Sequence, residues 1–566
     1  MNRVNWRLSG FWLAIGWLGM VAPLASAAKP PETAPKWGRF EHVFKSSVTY
    51  PNPLEDATLT VQFTSPLGDS MTVPGFWNGG KTWLVRFSPD MPGKWKFKTT
   101  CSDAANQGLQ DVTGEFLCTV ATGPSVFNHH GPMHVARDHR HLEYADHRPF
   151  FWLADTAWDG ARWSSLKEWE RYAQLRSSEK FTAVQWIAAP GTNSEGRSAF
   201  TGGAHLKPDL EFFRKMDAKV DALNNAGLLD AIVPLSELAL NTTNRLETLP
   251  ENQAVLLLRY LVARWGANDV AWLLACDGAA VERWKHLGRA VFGNISHAPV
   301  ILFTGESYWA LDEFRAERWV DVFGYQTGQD ISDDNLQWML AGPVPRDWKR
   351  EPARPFINIA PPYENEPAGK SQPRITALDV RRSAIWSLLL TPTAGVGYGA
   401  HGVWDWEKDA DAAPVTPGNE SWKIWEKSLY LPAARQMDNV AAFFQGVDFN
   451  RLLPAQELLL EQPGADSPAH HISVAATAAG DLTVAYTPER AAVSLRSKVL
   501  QPSASATWFS PSTGLSNPTA ASFSLGRDDR GTNKVQFIPP GEGDWLLLIT
   551  TPAYNSRFRF NGNSSP

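Results

Sequence analysis

FFWLADTAW, residues 150–158, reads as a strand buried on both faces, with the polar Asp155 and Thr156 arriving where such a strand ends. Residues 163–177 (WSSLKEWERYAQLRS) then carry apolar side chains at helical spacing, and residues 181–189 (FTAVQWIAA) are again strand-like. The unit is therefore strand, helix, parallel strand. Working outward, further strands are expected over 228–235, 270–275, 299–303, 320–325, 356–359 and 394–398, with helices over 208–226, 253–265, 279–294, 312–319, 332–341 and 379–390. Eight strands in this alternation are the count of a closed (β/α)8 TIM barrel. A doubly wound sheet would want a glycine-rich phosphate turn after its first strand, and no G-x-G-x-x-G stands there.

Both flanks change character. Residues 37–122 consist of short alternating runs such as ATLTVQF, WLVRF and GEFLCTV, punctuated by Asn78-Gly79-Gly80 and Pro92-Gly93, the pattern of an antiparallel β-sandwich. The barrel segment is expected over 123–446, with a leading hairpin, and a second β-sandwich over 447–555. Each sandwich reads first as a brace for the barrel, because a sandwich alone implies no function.

Residues 1–27 hold Arg3 and Arg7, an apolar run and the triplet Ala25-Ser26-Ala27, the pattern of a cleaved secretory signal. A secreted or periplasmic protein is expected, without a membrane span after cleavage. The net charge of −6 is spread along the chain and leaves no basic stripe for nucleic acid. In an oxidising compartment Cys101 and Cys118 could pair, leaving Cys276 alone; three buried thiols are the other reading. His129, His130, His134, His139, His141 and His147 crowd one segment, but their spacing matches no ligand motif and reads as a solvated hairpin. No metal or other cofactor is expected.

Barrel enzymes take their chemistry from the C-terminal ends of the strands. The polar and aromatic residues there are Asp155, Trp158, Gln185, Trp186, Glu237, Asp277, Glu306, Tyr325, Gln326, Tyr363, Glu364, His401, Trp404 and Trp406. The set is rich in carboxylates and indoles and poor in the cations that phosphate substrates require. Two carboxylates flanking an oxygen linkage are what glycoside hydrolysis needs, one to protonate the departing oxygen and one to meet the developing oxocarbenium charge. The 26 tryptophans point the same way, since indole faces stack on sugar rings. An oligo- or polysaccharide is the expected partner.

The motifs FFWLADTAWDG, VDVFGYQTGQD, NIAPPYEN and YGAHGVWDW, in their order along the chain, resemble the apiosidase-like glycoside hydrolases, a DUF4038-type barrel with a β-sandwich behind and often a DUF5060-like one in front. The resemblance implies an acid/base at the end of strand four, which falls on Asp277 in WLLACDG, and a nucleophile at the end of strand seven. The family pattern there is close to N-x-E-P-x-Y-E, whereas residues 358–364 read NIAPPYE, with Ala360 in place of one glutamate. Three readings follow: Glu364 is the nucleophile, in a retaining pair with Asp277; Glu306, in FTGES, supplies the carboxylate; or the protein binds sugar without cleaving it. The remaining residues of the set are read as substrate-binding. A serine esterase lacks its G-x-S-x-G elbow.

Overall fold

The computed structural model describes residues 32–189, 191–236, 249–276, 280–368, 373–408, 424–501, 503–517, 523–528 and 531–557. The segment expected to be an export signal, Glu237 and Asp277 lie outside these described residues. Eight parallel strands close into one barrel in chain order: β1 (Trp152–Thr156), β2 (Ala183–Ile187), β3 (Leu229–Val233), β4 (Val270–Cys276), β5 (Val300–Thr304), β6 (Val322–Gln326), β7 (Phe356–Ala360) and β8 (Gly395–Gly399). Closure is made by β8 on β1, in register from Trp152 with Gly395 to Thr156 with Gly399.

The helices that matter for the site are α1 (Leu166–Ser178), α2 (Leu210–Asn225), α3 (Glu251–Trp265), α4 (Val281–Phe292), α5 (Asp333–Ala341), α6 (Ala377–Leu389) and α7 (Pro432–Gln445). α1 starts on a capping box in which Ser165 and Glu168 satisfy each other's backbone N–H groups. Between β5 and β6, the helix expected over 312–319 is only one 3-10 turn, Leu311–Phe314. There the Asp312 carboxylate accepts from Trp309, Arg315 and Arg350, local bonds that compete with helical continuation.

Pleating divides each strand between two cores. Trp152 and Ala154 of β1, Ala183 of β2 and Val322 of β6 join the core inside the barrel, while Leu153, Val184, Trp186, Phe323 and Tyr325 join the core between strands and helices. A small sheet of Met133–Val135, Leu142–Tyr144 and Pro149–Phe150 stops the barrel's N-terminal end, sending Met133, Leu142 and Phe150 into the inner core. The histidine-rich hairpin read from the sequence is this stopper.

Strands from Glu32 to Thr119 form a five-stranded and a three-stranded sheet, and strands from Leu452 to Thr550 form another such pair. Both pairs are fastened to the barrel by buried ions. Arg86 of the first pair donates to Asp217 of α2 at 2.9 Å, and Arg264 of α3 donates to the same carboxylate at 2.7 Å. Arg381 of α6 meets Asp544 behind the barrel at 2.6 Å. These contacts fit the bracing role.

The three cysteines are all buried, and none of them is in a disulfide. Cys118 stands opposite Gly93 at the start of the strand Gly93–Cys101, and Cys101 ends that strand. Eight residues of strand, roughly 27 Å, separate the positions, so the Cys101–Cys118 pairing cannot form and the alternative reading of three buried thiols holds.

Candidate active site

The C-terminal mouth of the barrel is built from the ends of β1, β5, β6, β7 and β8. At its centre stands Tyr363, three residues past β7. Its hydroxyl accepts from the Trp158 indole N–H at 3.2 Å and bonds Thr156, while its own backbone N–H donates to Gln329 at 2.6 Å. Burial pushes the Tyr363 phenol up, so it stays neutral. Gly399 makes room for it, because a Cβ there would lie 2.3 Å from the Tyr363 ring. Beneath, Gln185 is fully buried and donates to Thr156 Oγ1 and to the Ile359 carbonyl, both at 2.9 Å.

Glu306 follows β5. Solvent reaches it, yet the cleft crowds protein around its carboxyl, and this desolvation raises its pKa against the lowering effect of a hydrogen bond from the Gln329 backbone N–H. The charges of Glu366 and Asp330 push it further up. Gly328, at φ 74°, allows the approach: a Cβ there would fall 2.7 Å from the Glu306 carboxylate. Gln326 donates to the Thr304 carbonyl at 2.8 Å, tying the end of β6 to the start of the Glu306 loop.

Glu366 was not among the residues selected from the sequence. It is nearly buried, and its Oε2 pairs with His401 Nδ1 at 2.8 Å and accepts from the Trp404 indole N–H at 3.2 Å. Asp405 sits alongside, its pKa raised to about 6 by burial, with the nearby His401 pulling it down and Glu366 and Glu407 pushing it up. Tyr363 lies within electrostatic reach of both Glu306 and Glu366. One signal for Glu366 was present in the sequence: Asn365 takes φ 64°, a conformation Asn tolerates, and this turn redirects the chain between the two glutamates of ENE.

Glu364, expected as nucleophile, faces the other way. Its backbone is bridged to Ala400 beside Tyr363, and consecutive residues of an extended chain point to opposite faces. Its carboxylate accepts from Tyr398 Oη at 2.9 Å and from the Ala433 backbone N–H at 2.9 and 3.0 Å. Ala433 is in the first turn of α7, whose N-cap Leu431 has no capping side chain, so Glu364 serves as the cap from across the barrel wall. Glu364→Gln is therefore expected to lower stability by about 1–2 kcal/mol with kcat unchanged. Thermal unfolding alongside turnover checks this; a collapse of kcat in a folded variant would restore the nucleophile.

Four other expected residues leave the mouth, three of them for the same geometric reason. Asp155 is fully buried against α1, accepting from Arg176 Nε at 2.6 Å and Tyr172 Oη at 2.7 Å. Trp186 donates to Asp230 at 2.8 Å and packs edge-on against Trp265. Tyr325 is hydrogen-bonded to Ser387 of α6, and burial raises its pKa. Trp406, expected to share a face with Trp404, stacks on Trp425 at 4.2 Å in the outer core. The segment holding these two indoles is a run of turns and not a strand, and Trp406 itself takes φ 54°. Trp158, Gln326, Glu306, Tyr363, His401 and Trp404 are brought together at the mouth, with Gln185 as their floor.

A family model described as "Apiosidase-like, catalytic domain" matches residues 136–451, more than half of the chain. The chain belongs to the apiosidase-like family. It is, by that membership, a glycoside hydrolase. A domain of unknown function, DUF5060, matches residues 33–102 of this apiosidase-like protein, and a family described as a collagen-binding domain of a collagenase matches residues 453–550. No curated protein matches the sequence. Among solved structures, one titled "Glycoside hydrolase" is 18% identical with a TM-score of 0.65, covering 76% of this chain and 99% of its own. A glycoside hydrolase family 5 structure from Bacteroides vulgatus is 19% identical with the same TM-score, covering 76% and 96%. At these identities the two likenesses speak for the fold alone.

Proposed function

We propose that this apiosidase-like protein cleaves a glycosidic bond in plant or microbial polysaccharide side chains, with Glu306 as general acid and Glu366 as the anionic partner. The observation that carries the reading is the contrast between two carboxylates near one tyrosine. Desolvation by the surrounding cleft and neighbouring negative charge raise the pKa of Glu306 and so favour its protonated form. Glu366 instead accepts an indole N–H and pairs with an imidazole, and in this reading it is the carboxylate that meets the developing positive charge. Acid on one carboxyl and anion on the other is the division of labour that glycoside hydrolysis requires. Trp158 and Trp404 supply indole surface for a sugar ring.

Asp277, the residue that follows β4 in sequence, is a third candidate carboxylate by family resemblance. Retention of anomeric configuration is the outcome the same resemblance leads us to expect. The experiment is turnover of a panel of aryl glycosides and pectic or algal polysaccharides by the intact protein and by Glu306→Gln, Glu366→Gln and Asp277→Asn. Loss in the first two variants supports the assignment. Loss confined to Asp277→Asn transfers the acid role to that residue.

Ala360 favours a second reading, in which the barrel binds sugar without cutting it. Ala360 ends β7, where the family pattern carries one of its glutamates. Saturable binding of an oligosaccharide with no turnover by the unmutated protein would select this reading. Export to the periplasm or medium rests on residues 1–27. A mature N-terminus at Ala28, read by mass spectrometry of the expressed protein, is the expected result, and an intact Met1 in the mature protein overturns it.

A further inference from the structure

The stopper sheet under the barrel carries a cluster that the glycosidase reading does not use. His134 and Glu143 are directly opposite each other across the antiparallel pair of Met133–Val135 and Leu142–Tyr144, so their side chains share a face. His147 comes from the next turn, which is closed by the Tyr144 N–H on the Arg148 carbonyl and by the His147 N–H on the Tyr144 carbonyl, each at 2.8 Å. At φ 67°, His147 holds a left-handed backbone that L residues avoid, and the turn aims its ring back at the strand.

His134 Nε2 lies 3.0 Å and His147 Nδ1 lies 2.8 Å from the same oxygen, Glu143 Oε1. The three ligand atoms all fall within 4.8 Å of one another. Glu143 is the sheltered member, with its side chain 12% exposed, whereas the imidazoles of His134 and His147 are 43% and 78% exposed and leave one side open to water.

We propose that His134, Glu143 and His147 form a surface site for a divalent transition-metal ion, with Zn²⁺ the best match. Two imidazole nitrogens and one carboxylate oxygen are a borderline donor set that suits zinc at about 2.0–2.2 Å and leaves a fourth position for water. Calcium and magnesium want mostly oxygen ligands, and here there is one carboxylate. Binding would replace the two ring protons now shared with Glu143 and pin the turn at 144–148 to both strands. Those strands send Met133 and Leu142 into the inner core, so the ion would brace the closed end of the barrel, far from the mouth. The sequence concealed this set because one ligand is a carboxylate and two of the three meet only through strand pairing.

The test is calorimetric titration of the chelator-treated full-length protein with ZnCl₂, paired with thermal unfolding. One saturating site per chain and a melting temperature that rises by a few degrees with zinc are expected. His147→Ala, at an exposed position where folding is not at stake, should weaken binding by more than about tenfold, and Glu143→Gln should do the same. His130→Ala, beside Asp146 in the same segment, should bind as the unmutated protein does. Absence of saturable zinc uptake, or unchanged uptake in a His134→Ala/His147→Ala double variant, overturns the proposal. Glycoside turnover has no part in this readout, so the two readings stand or fall separately.

Discussion

Glu306→Gln is expected to slow cleavage of unactivated glycosides by about 10²–10⁴-fold, the range that a positioned general acid contributes. The loss should depend on the leaving group. A dinitrophenolate departs without protonation, so dinitrophenyl glycosides should be cut nearly as fast by the variant as by the parent. Glu366→Gln should spare neither substrate, because the oxocarbenium charge must be met whatever leaves. The pH profile follows from the raised pKa of Glu306. The active form is the protonated one, present below that pKa and lost as pH rises through it, so the alkaline limb of kcat/KM should lie above the range of an ordinary glutamate and vanish in Glu306→Gln. Equal losses on both substrate types in Glu306→Gln would remove the acid role from this residue.

The largest stability effect is expected at Asp155. Arg176 has no exposed surface and its guanidinium is held by Asp155, Glu179 at 2.7 Å and the Leu429 carbonyl at 3.1 Å. Asp155→Asn removes the charge that most directly compensates it, and breaking a buried pair by changing one partner costs about 3–5 kcal/mol. Replacing both partners by apolar residues, as in Asp155→Leu/Arg176→Met, should recover much of the loss, since the pair spends most of its Coulombic attraction on desolvation. Denaturant unfolding of the two variants measures this. A stable Asp155→Asn protein with a raised KM would instead return Asp155 to sugar binding.

The barrel itself was legible from the chain because periodicity is local. Runs such as FFWLADTAW and WLLAC bury both faces of a parallel strand, and the intervening helices carry their own 3.6-residue stripe. The positions of the strand ends followed from the same signal, and with them Trp158, Gln326, Glu306, Tyr363, His401 and Trp404. Which face of each strand looks inward did not follow, because a strand that is apolar on both sides gives no contrast between them. Asp155, Trp186 and Tyr325 each fell on the helix side of the wall for that reason.

Past the strand ends the local rules fail in a different way. Glu364 and Glu366 are two residues apart and would share a face in a regular strand, but the left-handed Asn365 between them sends one to cap α7 and the other to His401. The sequence by itself determined the architecture and the stock of carboxylates and indoles at the mouth. Only the tertiary structure decided which carboxylates meet there, because their partners, a helix end, an imidazole and an indole, come from distant segments that converge on closing the barrel.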